Sequence, residues 1–212
     1  DRAVTVAEVA QAAYQPHRLP KGLSPGLEEE GSFVVEQATA PFGAHLCVVE
    51  VDPETGHVRV LRYVSVDDCG VVINPLLVEG QIQGGVVQAL GQALLEEMVY
   101  DSGGQPLAST LAEYAVPRAV HAPAVEMHRT VTSSPTNPLG AKGVGEAGTI
   151  GATPAFVNAV VDALRPLGVR HLDTPLWPER VWRAVQQAKG GGPLTHVARV
   201  TQGQPSGLGP DR

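Results

Sequence analysis

The stretch best suited to chemistry is rich in glycine and carries one acid. Residues 137–154 read NPLGAKGVGEAGTIGATP, with five glycines and the single carboxylate Glu146. Backbone without side chains lets a large ligand approach main-chain N–H groups directly. A lone carboxylate held beside such a ligand suits general-base chemistry. The stretch therefore predicts either a glycine-rich turn with Glu146 in solvent or a loop that presents this acid to a ligand.

A dinucleotide-binding interpretation of the same letters is weak. GVGEAG matches the pattern G-x-G-x-x-G, but that fingerprint needs a buried strand directly before it. The preceding residues are SSPTNPLGAK, which contain two prolines and no apolar run. Glu146 would also repel a pyrophosphate. A phosphate-binding loop is excluded as well, because Lys142 is followed by glycine rather than by serine or threonine.

A second candidate surface lies on the longest predicted helix, residues 79–98. Its apolar side chains recur every fourth position, at Ile82, Val86, Leu90, Leu94 and Met98. Another face carries amides and glycines, at Gln81, Gly84 or Gly85, Gln88 and Gln92. Such residues make a poor core face, so we expect this face to meet something polar at close range.

The elements that must position these residues are a mixture of helices and strands. Helical spacing predicts a first helix over residues 4–14, a helix that begins at Thr153 and Pro154, and a last helix over 178–188. β-type segments are predicted at 32–39, 43–52, 57–68, 96–101 and 125–132, with a hairpin turn at 53–56. Strands and helices do not alternate regularly, so the expected fold class is α+β.

Composition limits the partners and the compartment. The 212 residues carry a formal net charge of -7, which argues against nucleic-acid binding because such surfaces are usually basic. Cys47 and Cys69 form neither a disulfide framework nor a CxxC site. No apolar run approaches the roughly 18 residues that span a bilayer. We expect a soluble, cytoplasmic protein without a membrane span, and a disordered tail over residues 189–212. The start at Asp1 rather than methionine indicates a piece of something longer.

Three segments together resemble one known family. They are GAKGVGEAGTIGATPAFVNAVVDAL, VDDCGVVINPLLVEGQIQGGVVQALGQALLEEMVYD and LGVRHLDTPLWPERVWRA. These segments are similar to the C-terminal part of the large, molybdenum-binding subunit of the xanthine oxidase family, especially its aerobic carbon monoxide dehydrogenase branch. The similarity runs from about Glu36 to Ala188, and two long motifs in the same order make it specific.

The resemblance implies a cofactor and a reaction. The cofactor is a molybdopterin, in bacterial relatives usually the cytosine dinucleotide, whose molybdenum is held through the dithiolene rather than by protein side chains. Glu146 matches the family's essential glutamate, the base that deprotonates a hydroxyl ligand of the metal. The resulting oxygen attacks an electron-poor substrate carbon while a hydride passes to a sulfido ligand. The implied reaction is hydroxylation of a small aldehyde, N-heteroaromatic compound or carbon monoxide with oxygen from water.

Other positions match residues that contact the cofactor in the family. Gln81 matches the glutamine of GQ-x-x-G, which hydrogen-bonds an oxygen ligand at the metal without adding charge. A segment that contacts the pterin largely through backbone is matched by Lys142, Gly143, Val144 and Gly145. An ordinary surface lysine remains the alternative for Lys142.

A further stretch, DDCGVVINP, resembles one that lines the dinucleotide. Its candidate residues are Cys69 and Asn74, and a small buried apolar residue is the alternative for Cys69. The chain departs from the carbon monoxide branch at Val71 and Gln83, where many relatives have arginine and histidine.

The resemblance also implies an assembly. Residues 1–188 would form the C-terminal part of the cofactor-binding domain, without the GGGFGGK-type segment of its N-terminal half. Electrons would leave through iron–sulphur clusters and FAD on partner subunits. The expected partners are the N-terminal half of the large subunit, an iron–sulphur subunit and an FAD subunit, and the chain alone is expected to be inactive. A non-catalytic remnant or assembly module that binds no metal is the rival interpretation, and a nicotinamide dehydrogenase is a weaker one.

Overall fold

The computed structural model describes residues 3–34 and 36–190 and divides the chain into two compact units, 1–36 and 37–212. In the first unit, helix α1 spans Val6–Ala13. Thr5 and Glu8 close its start with a capping box, in which each side chain accepts a hydrogen bond from the other residue's backbone N–H. The predicted helix over 4–14 is therefore confirmed, and a 3-10 turn, Pro16–Arg18, follows it.

A three-stranded sheet forms one layer of the second unit. Its strands are β1 (Phe42–Val51), β2 (Val58–Asp68) and β3 (Val125–Arg129). β1 pairs antiparallel with β2, and β2 pairs parallel with β3, so β2 is central. Asp52 holds the β1–β2 turn by accepting hydrogen bonds from the Glu54 N–H and the Thr55 hydroxyl. The predicted hairpin and the predicted strand at 125–132 are confirmed.

Helices form the other layer. They are α2 (Pro75–Leu94) and α3 (Ala147–Leu164). A further helix, α4 (Pro178–Lys189), adds its buried face to the same core, and 3-10 turns lie at Ala119–His121 and Arg165–Leu167. α3 lies against both α2 and β1. The largest fully buried side chains between these elements are Tyr63, Phe156, Ile82, Leu90, Leu164 and Leu176. Mixed strands and helices around one core confirm the α+β fold class.

The segment Ala147–Leu167 is long and apolar enough, with a hydropathy of 1.2, to cross a membrane by length and composition alone. This corrects the sequence expectation that no such run exists. Every fourth residue of α3 from Ala152 is nevertheless buried in the protein core: Ala152, Phe156, Val160 and Leu164. These four residues place one face of α3 in the core of the second unit, while 28% of the apolar window as a whole is buried.

Two helix boundaries differ from the sequence prediction. α3 begins at Ala147, so Pro154 lies inside the helix and Thr153 is not its N-cap. Small residues in the first turns let α3 approach its neighbours closely, and this packing overrides the local start signal. α2 begins at Pro75, where the Asn74 side chain accepts a hydrogen bond from the Leu77 N–H, and it ends at Leu94 rather than Met98. Proline at the first helical position after an asparagine cap is a signal that the apolar periodicity concealed.

Two predicted strands are wrong. Over the described residues of 32–39 there is no strand, and Phe33 and Val34 are 63% and 78% exposed, because no neighbouring strand pairs with them. In 96–101 only an isolated bridge between Tyr100 and Pro106 forms. Asp101 instead closes a turn by accepting hydrogen bonds from two nearby N–H groups.

The last helix is confirmed and extends to Lys189, with Gly190 as its C-cap. The tail predicted to be disordered therefore begins within this helix, and its residues from 191 onward lie outside the described part of the chain.

Candidate functional site

The two motifs of the sequence meet beside the end of β2. The Val71 N–H donates to the Gly140 carbonyl at 3.0 Å, and the Lys142 N–H donates to the Cys69 carbonyl at 2.8 Å. Gly70 and Gly140 both have positive φ, 68° and 66°. A Cβ on Gly70 would overlap the Gly140 carbonyl, so glycine is required at this crossing. The glycine-rich stretch is thus held against the DDCGVVINP stretch by backbone hydrogen bonds.

Asp68 is buried next to this crossing and binds groups from both stretches. Its carboxylate is buried and accepts hydrogen bonds from the Gly70 N–H at 2.9 Å, the Lys142 Nζ at 3.1 Å and the Thr130 hydroxyl at 3.1 Å. Burial raises the pKa of Asp68, but the hydrogen bonds from Gly70 and Lys142, together with those from Thr132 and Thr130, outweigh it and lower the pKa to about 2. Asp68 is therefore an ionised buried group.

Glu146 occupies the N-cap position of α3. Its backbone carbonyl accepts hydrogen bonds from the Thr149 and Ile150 N–H groups, which start the helix. Its side chain is exposed and does not cap the helix. The carboxylate thus projects from a fixed backbone position, and within the described residues no side-chain partner holds it.

Gln81 lies beside the same loop. A Cβ placed on Gly145 would be 3.8 Å from Gln81 Nε2. The approach follows from the crossing of α2 and α3, where Gly85 and Gly148 bring the two backbones into contact and the Thr149 hydroxyl donates to the Gly85 carbonyl at 3.2 Å. Because Gln81 lies one turn before Gly85, the crossing sets the amide next to the residue that precedes Glu146.

Two further positions on the amide face of α2 contact α3. The α3 backbone occupies the space beside Gly85, and Gln92 Oε1 accepts a hydrogen bond from the Thr153 hydroxyl at 3.0 Å. At these two positions, the close neighbour expected for this face is α3 itself. Gln81 and Gln88 remain exposed.

The other predicted site residues have roles within the fold. Lys142 is no ordinary surface lysine: its side chain is 7% exposed, pairs with Asp68 and lies over the Phe42 ring at 4.8 Å. Cys69 is 4% exposed and belongs to the core cluster, as its alternative interpretation held. Asn74 caps α2.

In the glycine-rich loop, some backbone is hydrogen-bonded within the chain and some is exposed to solvent. The Gly143 N–H donates to the Thr39 hydroxyl at 3.2 Å, and Val144 is half-buried against the core. Gly143 and Gly145 are exposed. Neither has a positive φ, and a Cβ on Gly143 would meet nothing within 4 Å. Neither the dihedral angles nor the packing of the described chain requires glycine at these two positions.

A buried polar group that the sequence patterns did not predict lies against α3. His45 Nδ1 lies 2.7 Å from the Tyr63 hydroxyl, and His45 Nε2 lies 3.3 Å from Asp67 Oδ1. The His45 and Asp67 side chains are each only 2% exposed, and the His45 ring fills the space that a side chain on Gly151 would need. Burial raises the pKa of Tyr63. The only signal was polar residues at alternate positions of β2, which normally indicates a solvent-facing side.

Comparison with known proteins extends these observations. Residues 1–123 match the family described as the molybdopterin cofactor-binding domain. The chain is 44% identical over 183 residues to the carbon monoxide dehydrogenase large chain of Hydrogenophaga pseudoflava, which covers 86% of this chain and 22% of that protein. It is 41% identical to the nicotine 6-hydroxylase large subunit of Paenarthrobacter nicotinovorans, with 86% of this chain and 22% of that subunit covered.

A solved structure gives the same result. Carbon monoxide dehydrogenase from Oligotropha carboxidovorans superposes with a TM-score of 0.80 at 38% identity, and covers 89% of this chain and 23% of the other. The chain thus spans less than a quarter of the length of these relatives. Sequence, fold and motif order agree: the chain belongs to the molybdopterin cofactor-binding domain family and is similar to part of the large subunit of carbon monoxide dehydrogenases and other xanthine oxidase family enzymes.

Proposed function

We propose that this chain supplies part of the cofactor and substrate site of a molybdenum hydroxylase, with Glu146 as its general base. The observation that carries the proposal is the exposed Glu146 carboxylate at the start of α3, beside the Gln81 amide and the bare backbone of Gly145. Within residues 3–34 and 36–190, no internal hydrogen bond engages either side chain. Both groups are therefore available to a ligand.

The residues present fit a large cofactor placed against the loop. Gly143 and Gly145 leave clearance that the chain's own packing does not use. A pterin needs such bare backbone for close contact with main-chain groups. When bound, the molybdenum cofactor supplies a redox centre for a two-electron oxidation in which water provides the oxygen.

The roles of the two exposed side chains follow from their chemistry. Glu146 accepts a proton on its carboxylate, and its fixed place on α3 holds that carboxylate in one region of the loop. Gln81 donates a hydrogen bond from its amide without bringing a charge. The neighbouring Gly145 keeps the space between them free of a side chain.

The remaining site residues are proposed to act through position. Lys142 and Val144 face inward and support the loop, while Gly143 and Gly145 form its open surface. Cys69 and Asn74 border the stretch proposed to line a cytosine dinucleotide. Since both side chains are used within the fold, that stretch would contact the cofactor through the backbone between them.

Substrate and assembly are proposed from the relatives. The chain is nearly as similar to a nicotine hydroxylase as to a carbon monoxide dehydrogenase, so its proposed substrate class spans carbon monoxide, aldehydes and N-heteroaromatic compounds. Since it spans 22% of those subunits, its activity is proposed to require the rest of the large subunit together with iron–sulphur and FAD subunits, in the cytoplasm. The rival proposal is a non-catalytic module of the same fold.

The two proposals differ in cofactor content. The chain is co-expressed with the remainder of a large subunit and the two partner subunits, and the purified complex is analysed for molybdenum and for cytosine nucleotide released from the pterin. If the chain is part of a catalytic subunit, molybdenum and cytosine nucleotide should each be present at close to one equivalent per complex. A stable complex that contains the chain but neither component would favour the non-catalytic module.

A further inference from the structure

We propose that Asp68 and Lys142 form a positioning pair that fixes the glycine-rich loop and, through it, Gly145 and Glu146. The importance of Glu146 rests on the proposed function, whereas the pair's hold on the loop does not. Neither residue is proposed to touch substrate or cofactor.

The geometry of the pair separates Lys142 from the open surface of the loop. Lys142 Nζ lies 3.1 Å from Asp68 Oδ1, and the two side chains are 7% and 0% exposed. The alkyl stem packs near Gly70, where a Cβ would lie 3.2 Å from Lys142 Cγ. The ammonium group is thus turned toward the end of β2, while Gly143 and Gly145 face solvent.

Asp68 joins three parts of the second unit. Its hydrogen bonds reach the Gly70 N–H just after β2, the Thr130 hydroxyl just after β3 and the ammonium of Lys142 in the glycine-rich loop. Lys142 lies 74 residues beyond Asp68 in the chain. Asn137 binds the adjacent Ala141 backbone from within the loop, whereas the Asp68–Lys142 pair ties the loop to a distant part of the chain and so supplies a long-range restraint.

A short stretch of hydrogen-bonded backbone connects Lys142 to Glu146. The Lys142 N–H is bonded to the Cys69 carbonyl, and the Ala147 N–H is bonded to the Val144 carbonyl at 3.2 Å. Only Gly143, Val144 and Gly145 separate Lys142 from Glu146. A shift of Lys142 would therefore be passed to the start of α3.

Removing one member of the pair differs from removing both. An unpaired charge left in a buried site is strongly destabilising, whereas replacing both charges by neutral groups is often close to neutral. The pair therefore predicts strong non-additivity between Asp68→Asn and Lys142→Met. In the competing role, Lys142 binds an anionic part of the cofactor directly. The effect of Lys142→Met would then be the same whether or not Asp68 is also replaced.

The test uses Lys142→Met, Asp68→Asn and the double variant, with Arg62→Met as the matched control. Arg62 pairs with Glu126 on the surface, with side chains 59% and 45% exposed. Hydrogen exchange of the full chain reports on the Val71 and Lys142 amides, which bond across the crossing, with the core Val86 amide as reference. The assembled complex is assayed for molybdenum, cytosine nucleotide and turnover of carbon monoxide, benzaldehyde and nicotine with a dye acceptor.

We expect each single variant to speed exchange at Val71 and Lys142 by about tenfold or more relative to Val86. Turnover of the complex should fall about 10- to 100-fold, by similar factors in the two single variants, because Glu146 is displaced. The double variant should exchange no faster than the worse single variant, and Arg62→Met should change none of these readouts.

Several results would overturn the proposal. Lys142→Met could lower cytosine nucleotide content while Asp68→Asn leaves content, exchange and turnover at wild-type levels, which would make Lys142 a direct cofactor contact. Additive effects in the double variant would contradict a pair. If Lys142→Met does not fold, the double variant is expected to fold because no charge is left buried, and its failure would also contradict the pair.

Failure of the pair and failure of the proposed function are distinguishable. Loop exchange is measured without cofactor, so it reports on the pair alone. A Glu146→Gln complex that keeps full turnover would remove the proposed function and leave the coupled exchange untouched.

Discussion

Gly85 of α2 and Gly148 of α3 are in backbone contact: a Cβ added to Gly85 would lie 2.9 Å from the Cα of Gly148. In the other direction, a Cβ on Gly148 would overlap the Ile82 carbonyl. This contact sets the crossing of the two helices. The crossing, in turn, brings Gln81 beside Gly145 and thus near Glu146.

Gly148→Ala is expected to destabilise the chain by about 1–3 kcal/mol, although alanine is the better helix former, because the methyl group has no room. Gly84→Ala is the matched control. It lies in the interior of α2 with nothing within 4 Å of its Cβ position, so it should stabilise by about 0.5–1 kcal/mol. Urea unfolding of both variants measures the difference. Equal effects of the two substitutions would mean that the helices do not meet at this contact.

Asp68 predicts a specific acid dependence of stability. Its pKa in the folded chain is about 2, below its ordinary value of 3.8. The folded state therefore binds fewer protons there than the unfolded state, and the stabilisation is fully present above about pH 4. It is lost as the pH falls from about 4 toward 2.

Asp68→Asn removes this titration. Its free energy of unfolding should decline less steeply than that of the wild type over the same acid range. Chemical unfolding at a series of pH values compares the slopes. Parallel curves for the two proteins would contradict the assignment of an ionised Asp68.

Tyr63→Phe is expected to destabilise the chain by about 1–3 kcal/mol, because it leaves the buried His45 Nδ1 without its partner at 2.7 Å. Tyr114→Phe is the control, since its hydroxyl bonds to Glu96 at 3.0 Å in a half-buried position. That loss should cost less than about 1 kcal/mol. A thermal melt of each variant decides between them, and a cost no larger at Tyr63 than at Tyr114 would argue against a stabilising His45–Tyr63 bond.

Local patterns predicted those parts of the fold that local contacts stabilise. The β1–β2 hairpin follows from alternating apolar residues around a turn that Asp52 closes by itself. The start of α3 could not be predicted in this way. Its first two turns are fixed by contacts of Gly148 with Gly85 and of Gly151 with the His45 ring, and those neighbours come from distant parts of the sequence.

The candidate site shows the same division. The resemblance singled out Glu146 and Gln81, and the structure brings Gln81 beside the loop that ends at Glu146. The inward direction of Lys142 could not be predicted, because its partner Asp68 is identifiable only once β2 and the loop are in place. A charged residue in a glycine-rich loop indicates an exposed side chain by composition alone, and here a distant carboxylate reverses that expectation.

The role of Glu146 as general base is tested most directly by the turnover of a Glu146→Gln variant in the assembled complex, with Glu54→Gln in the exposed β1–β2 turn as control. Glutamine keeps the shape of the side chain but cannot accept the proton. We expect unchanged molybdenum and cytosine nucleotide content, with turnover of carbon monoxide, benzaldehyde or nicotine reduced about 10²- to 10⁴-fold. Glu54→Gln should keep wild-type turnover. Turnover in Glu146→Gln within about twofold of the wild type, at equal cofactor content, would show that Glu146 is not the general base.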